Sequence, residues 1–192
     1  MKLWPFVVSS SVLSLVLWCG PAPVHAQSAK PPAVGETAPE FTLAGIDGKP
    51  VKLSELLKQG PVSLVMLRGF PGYQCPLCTK QVGELIENAG EFANAKATIV
   101  LIYPGAAQGL NSQAKQFIGS RDFPANIRFL VDPDFKVTNA YNLRWNAPNE
   151  TAYPASFVID RNGKVTFAMI SKTHGGRVPT KDLLKALPAN NK

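Results

Sequence analysis

The sequence predicts an α/β domain in which helices flank a mixed central sheet. Two unbroken apolar runs, residues 62–67 and 98–103, have the length and composition of strands that are buried on both faces. An amphipathic helical pattern follows each run. Near the carboxyl end, Asn162-Gly163 is a β-hairpin signal, so the last two strands are expected to be antiparallel. Strands that alternate with helices and end in a hairpin indicate a mixed sheet.

The first 26 residues predict a signal peptide. Lys2 provides the positive charge, residues 6–18 are almost wholly apolar or small, and Val24-His25-Ala26 offers a cleavage site. We therefore expect residues 1–26 to be removed, residues 27–33 to be a flexible tether and residues 34–192 to form one domain. The protein would be exported, to a periplasm or out of the cell. A lipid tether at Cys19 is the minor alternative, because bulky Trp18 precedes it.

Composition narrows the function to chemistry at two cysteines. The net charge is +7, but the basic residues are scattered, which argues against nucleic-acid binding. Removal of the signal peptide would leave only Cys75 and Cys78. Two cysteines in an oxidising compartment usually form a disulfide, yet a bridge across two residues hardly constrains the unfolded chain. A chemical role is therefore favoured over a purely structural one.

The first elements bring the chain to these cysteines. Asp47-Gly48 predicts a hairpin between residues 41–43 and 51–53. The buried strand 62–67 then runs into a loop, residues 71–78, with the sequence Pro-Gly-Tyr-Gln-Cys-Pro-Leu-Cys. Pro76 suits the first position of a helix, which makes Cys75 its N-cap. The helix is expected to continue through an apolar stripe formed by Val82, Leu85, Ile86, Ala89 and Ala93.

The remaining elements alternate in the same way. The strand at 98–103 is followed by a helix whose inner face carries Phe117, and then by a strand at 127–131. Asp132 and Pro133 are expected to cap and begin a short helix that reaches Tyr141. After a loop, residues 153–160 and 165–170 form the hairpin, and Thr180 caps the final helix.

The loop that ends in the two cysteines carries the predicted chemistry. Cysteine attacks as a thiolate, and a helix N-terminus stabilises the thiolate through its unpaired N–H groups and its dipole. We expect Cys75 to be exposed and to be the attacking thiol, and Cys78, one turn deeper, to resolve the mixed disulfide. This chemistry needs no cofactor, and none is predicted.

Residues 34–43 have the pattern Val-Gly-x-x-Ala-Pro-x-Phe-x-Leu, and a Gly-Lys and a Leu-Ser-Glu-Leu follow. This opening resembles that of the alkyl hydroperoxide reductase/thiol-specific antioxidant (AhpC/TSA) family of the thioredoxin superfamily. The resemblance implies a thioredoxin-like fold with an N-terminal β-hairpin extension. It also implies that Pro154 faces the active site, and that a cis Tyr153–Pro154 bond exposes backbone for a bound substrate. The first hypothesis is thus a thiol-disulfide oxidoreductase that acts on thiols or disulfides, with an unidentified electron donor.

A peroxiredoxin-like thiol peroxidase is the second hypothesis. Peroxiredoxins that resemble this chain carry Pro-x-x-x-Thr/Ser-x-x-Cys, and aligning Pro71 with this pattern makes Cys78 the cysteine that attacks hydroperoxides, with Cys75 resolving. Two departures follow: Cys75 replaces the hydroxyl residue, and Pro154 stands where the family has an arginine. Arg68 is a candidate for the missing charge, although a surface arginine at a strand end is the simpler interpretation.

A copper-binding chaperone is the third hypothesis. Copper carriers of the same fold use two cysteines and a distant histidine, and His174 is the one histidine that would remain after export. Their usual Cys-x-x-x-Cys spacing is absent, and His174 is expected to be exposed in a turn, so no metal site is predicted. The substrate and oligomeric state stay open, as does whether Trp145 forms a substrate lip.

Overall fold

The computed structural model of the protein describes Met1 and residues 30–188. The predicted signal peptide after Met1 and the first part of the predicted tether lie outside the described residues. Within residues 30–188, no helix is long and apolar enough to span a membrane.

One mixed sheet forms the centre of the described chain. Its strands are β1 (Thr42–Gly45), β2 (Pro50–Lys52), β3 (Val62–Met66), β4 (Thr98–Gly105), β5 (Ile127–Pro133), β6 (Ala155–Ile159) and β7 (Val165–Ile170). Their order across the sheet is β2-β1-β5-β4-β3-β6-β7. β3, β4 and β5 are parallel, and the other neighbours pair antiparallel, including the β1–β2 hairpin. The predicted mixed sheet is confirmed.

Helices cover both faces of this sheet. The helices of the described residues are α1 (Leu53–Gln59), α2 (Pro76–Glu87), α3 (Ala89–Asn94), α4 (Leu110–Ile118), α5 (Lys136–Ala140) and α6 (Thr180–Ala186). The prediction of a single helix beyond Cys78 is wrong, because α2 ends at Glu87, Asn88 is its C-cap, and α3 begins at Ala89. The Asn88 side chain donates a hydrogen bond to the carbonyl of Glu84 at this break. Ala89 and Phe92 stay buried, so the apolar pattern continues across it.

Strand alternation divides the core into two clusters. Along β3, Leu64 and Met66 pack with α1 and α5, whereas Val65 packs on the opposite face with α2, α3, α4 and α6. Cys75 and Cys78 belong to the cluster that contains Val65. The two thiols therefore lie at the edge of a hydrophobic core rather than on an open surface.

The turn after β3 is fixed by a close backbone approach. Gly69 has a φ of +74°, and a Cβ at this position would lie 2.1 Å from the carbonyl oxygen of Pro104. Farther along, the Gln74 amide donates to the carbonyl of Gln113 and accepts from the Tyr103 hydroxyl, both at 2.9 Å. These contacts attach the cysteine loop to β4 and α4, and so set where α2 begins.

Asp132 organises the turn from β5 to α5 differently from the prediction. β5 extends through Pro133, and α5 begins only at Lys136. The buried Asp132 carboxylate still accepts the backbone N–H groups of Val137 and Thr138, at 2.9 and 2.8 Å. Asp132 thus stabilises the start of the helix from the end of the strand, without being its N-cap.

Candidate redox site

Cys75 and Cys78 lie at the beginning of α2. Cys75 is the N-cap and Pro76 the first helical residue, as predicted, and the Cys75 sulfur accepts the backbone N–H of Cys78 at 3.3 Å. Both cysteines are free. The expected exposure of Cys75 is wrong, since Cys75 is 3% exposed and Cys78 1%. The loop that follows β7 packs over this turn and places Arg177 against both sulfurs.

The two thiols have opposite electrostatic environments. The Cys78 thiol donates to the Cys75 sulfur, and this bond, with the Cys78 backbone N–H and the charge of Arg177, lowers the pKa of Cys75 although burial opposes it. The same thiol–thiol bond, together with burial, raises the pKa of Cys78. At neutral pH, these directions favour a thiolate at Cys75 and a protonated thiol at Cys78 in the reduced pair.

Arg177 is a site residue that sequence reasoning missed. Its Nη2 atom lies 3.2 Å from the sulfur of Cys78 and 3.5 Å from that of Cys75, and its Nη1 atom lies 3.5 Å from Oε1 of Gln81. It comes from loop 171–179, the connection between β7 and α6. The one local signal is its place after Gly175-Gly176, and nothing in that pattern shows which residues the loop will meet.

Arg68 is buried, so its interpretation as a surface arginine is wrong. It is 3% exposed, and its Nε and Nη2 atoms bind Oε2 of Glu150 at 2.9 and 2.8 Å. Its Nη1 atom donates to the Tyr73 hydroxyl at 2.6 Å. Its backbone N–H donates to the Cys78 sulfur at 3.4 Å. The side-chain charge is thus paired with Glu150, and the direct contact of Arg68 with the thiols comes from its backbone.

Glu150 joins two loops beside the redox pair. Its Oε1 atom lies 2.7 Å from Nε2 of His174, which belongs to loop 171–179, while its other oxygen binds Arg68. Burial acts to raise the pKa of Glu150, but hydrogen bonds from His174 and Arg68 lower it. Trp145 stacks on Tyr153 at 4.6 Å between ring centroids and lies 5.1 Å from the His174 ring. Loop 144–153 is therefore joined by a hydrogen bond and by aromatic packing to the loop that carries Arg177.

His174 is exposed, as expected, but one of its ring nitrogens is occupied by Glu150. In the described part of the chain, no group of three or more His, Cys, Asp and Glu side chains is placed to hold a metal ion. The structure therefore gives the copper hypothesis no assembled ligand set among these residues.

The predicted cis bond before Pro154 is wrong, because the Tyr153–Pro154 bond is trans. The backbone is paired on both sides of this bond: Tyr153 donates to the carbonyl of Leu143, and the Pro154 carbonyl accepts from Ser171, both at 2.8 Å. Pro154 lines a small cleft together with Gln81 and Arg177. Pro71 is partly exposed, early in the cysteine loop.

The proteins that this chain resembles are thiol-dependent oxidoreductases. The sequence model of the AhpC/TSA family matches residues 34–168. The bcp protein of Helicobacter pylori, named as a peroxiredoxin, is 33% identical over 154 residues, which are 76% of this chain and 94% of the relative. Thiol-disulfide oxidoreductase ResA of Geobacillus thermodenitrificans is 26% identical over 134 residues, 69% of this chain and 67% of ResA.

A solved structure shows the same fold. The crystal structure of peroxidoxin BcpB from Mycobacterium tuberculosis superposes with a TM-score of 0.66 at 24% identity, over 84% of this chain and 99% of that protein. The thioredoxin-like fold is therefore confirmed, and the relatives include both proteins named as peroxiredoxins and proteins named for disulfide exchange.

Proposed function

This chain belongs to the AhpC/TSA family of thiol-dependent oxidoreductases, and we propose that it is an exported thiol-disulfide oxidoreductase. The observation that carries the proposal is the inequality of the two sulfurs. Cys75 accepts hydrogen bonds at the N-terminus of α2 and has a lowered pKa, whereas Cys78 is a buried donor with a raised pKa. An attacking thiolate and a protected resolving thiol are the two components that disulfide exchange requires. Export is proposed from residues 1–26 of the sequence.

The reaction proceeds through a mixed disulfide. The Cys75 thiolate attacks one sulfur of a substrate disulfide, an S–S bond forms to Cys75, and the other substrate sulfur leaves as a thiolate that takes up a proton. Cys78 then loses its proton and attacks the Cys75 sulfur. The Cys75–Cys78 disulfide forms, and the second substrate thiol is released. The substrate is reduced by two electrons and the pair is oxidised by two, after which a thiol donor restores it.

The groove beside Arg177 is the side from which a substrate would approach. It has a volume of about 340 Å³, and its lining residues include Leu77, Lys80, Gln81, Glu84 and Arg177. Leu77 is 41% exposed, so the groove offers an apolar contact between charged side chains. Because Cys75 is only 3% exposed and Arg177 contacts its sulfur, the substrate sulfur reaches Cys75 only when the side chains around this sulfur shift.

A turnover assay tests this proposal. The wild-type protein is expected to accelerate the reduction of insulin disulfides by dithiothreitol, while Cys75→Ser and Cys78→Ser are expected to lose turnover. A wild type that gives no acceleration above dithiothreitol alone, under conditions where both thiols are shown to be reduced, would contradict the proposal.

Hydroperoxide reduction is the second candidate function, and Arg177 is the observation that favours it. The family's arginine is replaced by Pro154, yet a guanidinium lies 3.2–3.5 Å from both sulfurs. A thiolate would attack one peroxide oxygen, the O–O bond would break, and the alcohol would leave, giving a sulfenic acid. The second cysteine would condense with it to form the disulfide and water. The sequence pattern predicts Cys78 as the residue that attacks the peroxide. The pKa difference between the two thiols favours Cys75 instead.

Stopped-flow oxidation by hydrogen peroxide separates these possibilities. Fast, saturating oxidation of Cys78→Ser that is absent from Cys75→Ser would establish a peroxidase that attacks through Cys75. The reverse pattern would restore Cys78 as the attacking residue. Slow oxidation of every variant, at the rate of a free thiol, would exclude this second function.

A further inference from the structure

The loop that carries Arg177 is held in place on both sides of this residue. Gly176 has a φ of +61°, and a Cβ there would lie 2.4 Å from Oγ of Ser171. That hydroxyl donates to the carbonyl of Thr173 at 2.9 Å and accepts its N–H at 3.2 Å, which closes the start of the loop. Val178, directly after Arg177, is 4% exposed and packs in the same core cluster as the two cysteines. The direction of Arg177 is therefore set by its loop.

Arg177 has no carboxylate partner among the described residues, which distinguishes it from Arg68. The ion pairs of residues 30–188 include Arg68 with Glu150, whereas the contacts of Arg177 are the Gln81 amide and the two sulfurs. A guanidinium stays charged throughout the physiological pH range. A partly buried charge without a counter-charge is unfavourable. Among the described residues, the anion in direct contact with Arg177 is thus a thiolate of the redox pair.

This charge has opposite consequences for the two redox states. In the reduced state, the Cys75 thiolate neutralises Arg177. In the oxidised state, the disulfide is neutral, and Arg177 loses its counter-ion. A cation that stabilises only the reduced form makes a disulfide a stronger oxidant, because reduction is then more favourable.

We propose that Arg177 stabilises the reduced Cys75–Cys78 pair as a thiolate and thereby makes this pair more oxidising. The inference rests on the proposed function in one respect, that the pair cycles between dithiol and disulfide. In that cycle, Arg177 supplies the cation that the family pattern places at the position of Pro154. Arg177 lies 99 positions after Cys78, in the loop between β7 and α6.

The test compares Arg177→Met, Arg177→Gln and Arg177→Lys with the wild type. Arg161→Met is the matched control, because it removes the same charge from an exposed site whose side chain binds the Gln59 carbonyl. Two quantities are measured on each reduced, folded protein: the pH dependence of iodoacetamide alkylation at Cys75, and the equilibrium constant for oxidation of the pair by oxidised glutathione.

We expect both neutral variants to raise the apparent pKa of Cys75 and to increase the oxidation constant about tenfold, which corresponds to a reduction potential about 30 mV lower. Arg177→Lys should change the pKa of Cys75 and the oxidation constant only slightly, and Arg161→Met should leave both at their wild-type values. Arg177→Gln keeps the test valid if Arg177→Met does not fold. Wild-type values in both neutral variants, or equal shifts in Arg161→Met, would overturn the proposal.

The two claims fail separately. The alkylation profile requires no turnover, so a protein that reduces no disulfide but shows an Arg177-dependent thiol pKa would refute the proposed function alone. A protein with full disulfide turnover and unchanged values in the Arg177 variants would refute the role of Arg177 alone.

Discussion

The sulfur of Cys75 accepts the backbone N–H of Cys78 at 3.3 Å, and the lowered pKa of Cys75 depends chiefly on a second interaction, with the Cys78 thiol as donor. Cys78 thus supplies two hydrogen-bond donors to the sulfur of Cys75. The backbone donor exists because Cys75 is the N-cap of α2, and the thiol donor exists because Cys78 begins the buried face of that helix. The reactivity of Cys75 therefore depends on the protonation state of Cys78.

Removal of the Cys78 thiol tests this dependence. Cys78→Ala deletes the side-chain donor, whereas Cys78→Ser retains a hydroxyl donor at the same place. We expect the alkylation pKa of Cys75 to lie below the ordinary thiol value of about 8.5 in the wild type. It should rise in Cys78→Ala and rise less in Cys78→Ser. Equal values in the two variants would show that the side-chain donor does not matter.

The lowered pKa of Cys75 also predicts how stability depends on pH. A group whose pKa is lower in the folded state stabilises the protein fully above its unfolded pKa, and this contribution is lost as the pH falls through the folded pKa. The reduced wild type should therefore gain stability relative to Cys75→Ser as the pH rises toward about 8.5, by at most ~1.4 kcal/mol per pH unit. Urea denaturation at pH 6 and pH 8 in a reducing buffer measures this difference. If the difference in unfolding free energy between the wild type and Cys75→Ser stays constant or decreases as the pH rises, the lowered pKa of Cys75 is contradicted.

The buried pair of Arg68 and Glu150 predicts a large effect of removing one charge. Glu150→Gln leaves the Arg68 guanidinium without its counter-ion at a site that is 3% exposed, which should destabilise the protein by about 3 kcal/mol. Glu55→Gln breaks the exposed pair with Lys58 and is the control, since its urea midpoint should hardly move. Equal midpoints for the two variants would indicate that Glu150 is not part of a structural pair.

Gly176 predicts a way to move Arg177 without changing it. An added Cβ would meet Oγ of Ser171 at 2.4 Å, so Gly176→Ala should displace the loop and raise the alkylation pKa of Cys75. Gly175→Ala is the neighbouring control, because its Cβ would make an ordinary 3.8 Å contact with Oγ1 of Thr173. The proposed role of Arg177 predicts a shift in the first variant and little or none in the second. A larger shift in Gly175→Ala would contradict the loop geometry.

The parts of the site that the sequence predicts are local. Cys75 as N-cap and Pro76 as first helical residue follow from four consecutive residues, and the buried strand before them follows from an uninterrupted apolar run. The break after α2 was not predictable in this way, because Ala89 and Phe92 continue the apolar stripe beyond it. A pattern of apolar residues indicates which face of a helix points inward, but it does not indicate where the helix ends.

The missed features depend on pairs that are distant in the chain. Arg177 meets Cys78 across 99 positions, and Glu150 meets Arg68 across 82. Each residue is a single charge in a polar loop, without periodicity or a motif. Only the order of the strands, which places β6 beside β3, brings these loops to the N-terminus of α2. The exposure expected of Cys75 is wrong for the same reason, since the covering loop lies about a hundred residues away.

Trapping the first covalent intermediate tests the central claim most directly. Reduced Cys78→Ser and Cys75→Ser are each incubated with a stoichiometric amount of oxidised glutathione, quenched with acid and analysed by intact and peptide mass spectrometry. We predict rapid formation of one glutathione adduct at Cys75 in Cys78→Ser, and little or none at Cys78 in Cys75→Ser. A fast adduct at Cys78, with Cys75 unmodified in the other variant, would contradict the assignment of Cys75 as the attacking thiolate.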